Sequence, residues 1–121
     1  MAKVKILVVD DEEEICALTK SFLAKREFDV FTATTEGEAL RIINKEDPKL
    51  ILLDLCLGGA SGIDILEKIR QINQKVRVVM VTGLEDEESM LKARLLGAGE
   101  FIRKPFSVDF LDELVSRNTK D

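Results

Sequence analysis

Five short strand-like runs, three of them apolar, alternate with segments of helical period, and this alternation restricts the fold of the chain more than any other feature. The runs are Val4 to Val9, Phe28 to Ala33, Leu50 to Leu53, Val76 to Val81 and Glu100 to Arg103. Between them, apolar residues recur at spacings of three and four, the period of a helix with one buried face. Ile15, Leu18 and Phe22 stripe a first predicted helix that ends near Arg26, and Ala39, Leu40 and Ile43 form the inner face of a second, Glu36 to Lys45. A third, Gly62 to about Asn73, buries Ile65, Leu66 and Ile69; a fourth runs from about Asp86 to Leu96; a last one, about Val108 to Asn118, buries Phe110, Leu111, Leu114 and Val115. Punctuation agrees with these spans: Thr35 and Glu38 stand at capping-box spacing, Pro48 closes the second helical stretch, Ser61 can cap the third helix and Gly97 stops the fourth. Five such units predict an α/β doubly wound sandwich, a parallel sheet with helices on both faces, because each crossover is right-handed. The expected strand order is 2-1-3-4-5, with a ligand crevice where that order reverses, between strands 1 and 3. At 121 residues the chain fits a single domain, residues 1–121.

Several function classes drop out on composition. A net charge of −5 opposes phosphate-backbone binding, so direct contact with nucleic acid is not expected. No apolar run is long enough to span a bilayer and no signal-peptide pattern opens the chain, which implies no membrane partner and a cytoplasmic location. The two cysteines, Cys16 and Cys56, are far apart and signal neither a disulfide framework nor a zinc site. The absence of histidine removes every His-dependent triad.

The chemistry collects where the predicted strands end. Asp10 and Asp11 follow the first strand, Asp54 the third, Thr82 the fourth and Lys104 the fifth. Carboxylates about 4 Å apart repel by roughly 4 kcal/mol at an effective dielectric of 20, so the acids call for a cation or a proton. Mg²⁺ takes hard oxygen ligands and needs only one or two carboxylates beside a phosphate. A carboxylate can also attack phosphorus to give an aspartyl phosphate, whose charge a lysine and a hydroxyl then neutralise. Asp11, three residues before Glu14, also stands at capping spacing for the first helix, so capping and metal holding are both open to it.

Ile6-Leu7-Val8-Val9-Asp10-Asp11-Glu12, Leu52-Leu53-Asp54-Leu55, Gly62, Val81-Thr82-Gly83 and Gly97 to Phe106 together resemble the receiver domains of bacterial response regulators, with a flavodoxin-like fold. The resemblance implies that Asp54 is the phosphoacceptor, that Asp10, Asp11, Asp54 and the backbone carbonyl of Cys56 hold Mg²⁺, and that Thr82 and Lys104 bind the phosphoryl group. It further implies a cis Lys104-Pro105 peptide, and a switch in which Thr82 and the aromatic Phe101 move together. A histidine kinase or phosphotransfer protein would donate the phosphoryl group, and a downstream protein or output domain would read the surface of the fourth helix, fifth strand and fifth helix. Such a module is no enzyme beyond its own phosphorylation and dephosphorylation.

Against that family pattern stand Gly58 and Gly59, where many members carry proline at the first position, which predicts a more flexible loop after Asp54. Phe101 lacks the hydroxyl of the tyrosine often found there, so its inward rotamer is expected even without phosphorylation. Cys56 and Leu84, two beyond Asp54 and two beyond Thr82, cannot orient an attacking water, which predicts slow self-dephosphorylation. Two other functions compete. An Asp-nucleophile phosphohydrolase usually carries a second Asp two residues after the nucleophile, and Asp54-Leu55-Cys56 lacks it. A non-phosphorylated pseudo-receiver that only binds protein has no need of the three acids, Thr82 and Lys104. The polar tail Arg117 to Asp121 suits either a single-domain regulator or a receiver cut from a longer protein.

Overall fold

A computed structural model of the chain describes residues 3–57, 59–83 and 87–120. Five strands, β1 (Lys5–Val9), β2 (Asp29–Ala33), β3 (Leu50–Asp54), β4 (Arg77–Thr82) and β5 (Glu100–Arg103), form one parallel sheet in the order β2-β1-β3-β4-β5. Five helices join and follow them: α1 (Glu13–Ala24), α2 (Glu36–Glu46), α3 (Gly62–Ile72), α4 (Glu87–Leu95) and α5 (Val108–Thr119). The expected order and element count are those observed. One feature escaped the sequence reading, a two-residue antiparallel ladder between Cys56–Leu57 and Ala60–Ser61 in the loop after β3.

Period-two alternation within strands buried on both sides divides the core into two layers. Leu7, Val9, Ile51, Leu53, Val78 and Met80 face α2, α3 and α4, whereas Ile6, Val8, Leu50, Leu52, Val79 and Val81 face α1 and α5. The helix starts follow local chemistry. The Thr35 hydroxyl accepts from the Glu38 N–H at 3.3 Å while the Glu38 carboxylate accepts from the Thr34 N–H at 3.1 Å, and the Ser61 hydroxyl accepts from the Ile63 N–H at 3.2 Å. Gly97, at φ +84°, turns the chain out of α4 as a residue in the left-handed region should.

Three expectations about side chains are corrected. The buried face of α1 is Cys16, Thr19 and Leu23 rather than the stripe Ile15, Leu18 and Phe22; Leu18 is 68% exposed, and of the stripe Phe22 packs partly buried against the core. That stripe instead lines one wall of an apolar groove of about 700 Å³ whose other wall is Pro105, Phe106, Val108 and Leu111. Phe110 is 46% exposed, because the burying face of α5 is Leu111, Leu114 and Val115. Asp11 does not cap α1: the N-cap is Glu12, whose own side chain makes no capping bond, and the Glu12 N–H donates to Asp10 Oδ1 at 2.9 Å. Gly58, Leu84 and the predicted start of the fourth helix at Asp86 lie outside the described residues.

Candidate functional site

Strand register builds the site. Val9 is paired with Leu53, so Asp10 and Asp54 stand side by side at the end of adjacent strands; Thr82 is paired with Arg103, which places Lys104 next in line. Backbone hydrogen bonds continue the ladder past the strand ends. The Asp10 N–H donates to the Ala33 carbonyl at 3.0 Å, the Leu55 N–H to that of Val81 at 2.9 Å and the Lys104 N–H to that of Thr82 at 2.8 Å. Asp10, Asp54 and Thr82 are the buried polar side chains of this edge, at 3%, 5% and 7% exposure.

One ammonium group joins the acids. Lys104 Nζ lies 2.8 Å from Asp10 Oδ2, 2.9 Å from Asp54 Oδ2 and 3.8 Å from Glu12 Oε1. The other Asp54 oxygen accepts from the Cys56 N–H at 3.1 Å. Burial raises the Asp54 carboxyl above the ordinary range, and the Asp10 charge adds to this, while Lys104 and the Cys56 N–H pull less strongly the other way. Burial alone would favour neutral Lys104, but its hydrogen bonds to Asp10 and Asp54 outweigh that cost and hold the ammonium above the usual lysine range. The two directions are compatible, because an ammonium shared between two carboxylates compensates each only in part.

Asp10, Asp11 and Glu12 bring carboxylate oxygens within 4.8 Å of one another. With Asp54, four carboxylates converge near one ammonium. Such a hard-oxygen, net-negative set fits Mg²⁺. Glu12 was not among the site residues expected from the sequence, since an acid at the start of a helix needs no further role than to complement the helix dipole. Its signal was its position directly after Asp10-Asp11, where the turn into α1 folds it back over them.

Two further residues support the site: Gly62, already part of the sequence motif, and Cys16, whose contact the sequence did not signal. An added Cβ at Gly62 would meet the Asp54 carbonyl oxygen at 2.3 Å, so α3 starts in direct backbone contact with the strand end that carries Asp54, and any side chain there would displace it. Buried Cys16 donates its thiol to the Asp10 carbonyl at 3.3 Å, and burial, then the Asp10 charge, push that thiol up. Cys56 presents an exposed thiol. The Lys104-Pro105 peptide is cis. Phe101 is half-buried against the core layer under α4, with the Arg94 guanidinium 5.1 Å from its ring centroid. Among the described residues, no helix is long and apolar enough to cross a membrane.

A 2-1-3-4-5 parallel sheet with acids at the β1 and β3 ends, a threonine at the β4 end and a lysine beyond β5 is the architecture of a phosphorylation-signalling receiver. Residues 6–116 match the response regulator receiver domain family, and the chain belongs to it. It is 33% identical over 117 residues to Sporulation initiation phosphotransferase F of Bacillus subtilis, covering 97% of this chain and 94% of that protein. It is also 39% identical over 102 residues to Regulatory protein VanR of Enterococcus faecium, covering 84% of this chain but 44% of VanR. Among solved structures, the receiver domain of NtrX from Brucella abortus superimposes with a TM-score of 0.86 at 36% identity, over 93% of this chain and 96% of that one. A CheY-like response regulator receiver domain protein from Methanospirillum hungatei gives 0.89 at 31% identity, over 97% and 94%. The function class is therefore two-component, phosphorylation-based signalling, and neither competing function is favoured.

Proposed function

We propose that residues 1–121 act as one receiver domain in the cytoplasm, in which Asp54 accepts a phosphoryl group from a histidine kinase or phosphotransfer protein. An Asp54 carboxylate oxygen attacks phosphorus, the phosphorus–nitrogen bond of the donor phosphohistidine breaks, and its electron pair stays on the imidazole, which leaves neutral when its other nitrogen carries a proton. The observation that carries this reading is the Lys104 ammonium at 2.9 Å from Asp54 and 2.8 Å from Asp10, already in place to take phosphoryl oxygens as they arrive. Asp10, Asp11, Asp54 and the Cys56 carbonyl would hold Mg²⁺, which when bound supplies charge neutralisation on the transferring group. Thr82 supplies a hydroxyl donor at the β4 end. The apolar groove between α1 and the start of α5 includes Lys104 in its wall, giving a donor protein a surface to rest on beside the acceptor.

Phosphorylation then biases a two-state equilibrium read on the α4, β5 and α5 surface by a downstream protein or output domain. A shift from 1:99 to 99:1 takes about 5.5 kcal/mol of differential stabilisation. Incubation with acetyl phosphate and Mg²⁺ tests the acceptor directly: intact mass should rise by one phosphoryl group on wild type and not on Asp54→Ala. No added mass on wild type would sink the reading, and addition to both would move the site elsewhere. With Cys56 two residues beyond Asp54 and Leu84 two beyond Thr82 in the sequence, neither of a type that orients water, the phosphoryl group should outlast minutes in purified protein, and Leu84→Glu should shorten that lifetime. A half-life of seconds in wild type would contradict the assignment of slow hydrolysis.

A further inference from the structure

Arg70, in the last turn of α3, takes no part in the site described above, yet its guanidinium gathers four backbone carbonyls from two other segments. Nε donates to the Leu96 carbonyl at 2.5 Å and Nη2 to that of Gly97 at 3.1 Å. Nη1 donates to the carbonyls of Val76 at 2.7 Å and Asn73 at 3.3 Å. One planar group thus ties the C-terminal end of α4 to the end of α3 and the start of β4. The helix end is further closed by the Ala98 N–H donating to the Ala93 carbonyl at 2.9 Å, with Ala98 buried and Leu96 packed on the core. Toward its other end α4 has no comparable clamp among the described residues: Glu87 and Glu88 are exposed and Leu91 is 57% exposed, whereas the helix's buried residue, Ala93, lies in its C-terminal half beside Leu95, itself 79% exposed. Its N-terminal end is also the one that follows Thr82 in the chain, the residue at the phosphoacceptor edge.

We infer that Arg70 is a positioning residue that fixes a pivot at the C-terminal end of α4, so that a displacement starting at Thr82 swings the N-terminal half of the helix while Leu96 to Ala98 stay in place. This rests on the proposed phosphorylation of Asp54 for its trigger, but the clamp itself is testable without it. Guanidinium geometry matters here, because a lysine at position 70 offers a point charge that cannot span both segments at once.

Hydrogen–deuterium exchange resolved along the chain supplies the test. In unphosphorylated Arg70→Ala, amides at 96–98 should exchange about tenfold faster than in wild type, the effect of losing net hydrogen bonding at a locally opening end, while β1 and β3 amides hold within about twofold. Arg70→Lys, which keeps the charge, should show the same local acceleration to a lesser degree and covers the case in which the alanine variant fails to fold. In wild type, adding beryllium fluoride with Mg²⁺ as a phosphoryl mimic should change exchange at 87–91 and leave 96–98 unchanged. Unchanged exchange at 96–98 in the variants, or a uniform rise across the whole chain, would remove the clamp. Changes of equal size at both ends of α4 in wild type would remove the pivot. If the acetyl phosphate experiment shows no phosphoryl transfer, the trigger fails and the unphosphorylated comparison still decides the clamp.

Discussion

Helices α3 and α4 cover the same face of the sheet and are nearly equal in length, 11 and 9 residues, yet they are held in different ways. The first seats Ile65, Leu66 and Ile69 fully in the core and starts on a side-chain cap with glycine against the backbone of Asp54. The second commits Ala93 to the core and leaves Leu91 and Leu95 in water, 57% and 79% exposed. Hydrophobic burial is worth about 25 cal/mol per Å², so two helices alike in secondary structure differ greatly in what opposes their movement. The lesson is a division of labour: the element seated against the backbone of Asp54 is anchored by packing, and the element next in line after Thr82 is more lightly held.

The largest expected effect tests that difference head on. Leu66→Ala removes a fully buried side chain and should cost about 2–5 kcal/mol of stability. Leu95→Ala should stay within about 0.5 kcal/mol. Denaturation followed by circular dichroism measures both, since the chain has no tryptophan or tyrosine to report by fluorescence. A Leu95→Ala cost that matched Leu66→Ala would break the contrast between the two helices.

A smaller effect comes from the charged edge, which belongs to the rigid part of the molecule but is held by electrostatics. Lys104→Met strips the counter-ion from buried Asp10 and Asp54 and should cost about 1–3 kcal/mol at neutral pH. The sign with pH follows from the two raised groups. Stabilisation by Lys104 is complete below the ordinary lysine value of 10.5 and is lost as pH climbs through its raised folded value. Asp54, raised above its ordinary 3.8, is disfavoured as an anion in the folded state, so protonation on acidification relieves strain at the site. Without Lys104 that relief should begin at higher pH, and the gap between wild type and variant should narrow as pH falls from neutrality toward the ordinary carboxylate range. A gap constant across that range would show that the acids are not what Lys104 compensates.

Much of this was legible in the sequence, and the failures have physical causes. Apolar runs that end in charged residues gave strands, topology and crevice, because a buried strand has few other ways to be written. Asp10, Asp54, Thr82 and Lys104 were visible because each is a polar residue directly after such a run. Glu12 and Arg70 were not, since an exposed acid in an acidic run and a basic residue in a last helical turn both read as ordinary surface. Only tertiary folding turns Glu12 back toward Lys104 and brings the ends of two helices to one guanidinium. The stripe of α1 misled for a related reason: helical period identifies an apolar face but not its partner, and here that face looks into an open groove while the neighbouring Cys16, Thr19 and Leu23 reach the core.

The smallest effect sharpens how α4 is tied to β5. Lacking a hydroxyl, Phe101 was expected to have no polar reason to remain outward, yet the ring is half-buried and carries the Arg94 guanidinium from α4 at 5.1 Å. A cation over a ring face at an exposed site contributes about 0.5–1 kcal/mol. A double-mutant cycle between Arg94→Gln and Phe101→Leu should therefore return a coupling of about 0.5–1 kcal/mol in the unphosphorylated protein. A coupling near zero would remove one of the ties at the C-terminal end of α4 and make the contrast with α3 stronger. One well above 2 kcal/mol would mean that the last turn of α4 is bound firmly to β5, and the light anchoring inferred from its exposed leucines would be wrong there.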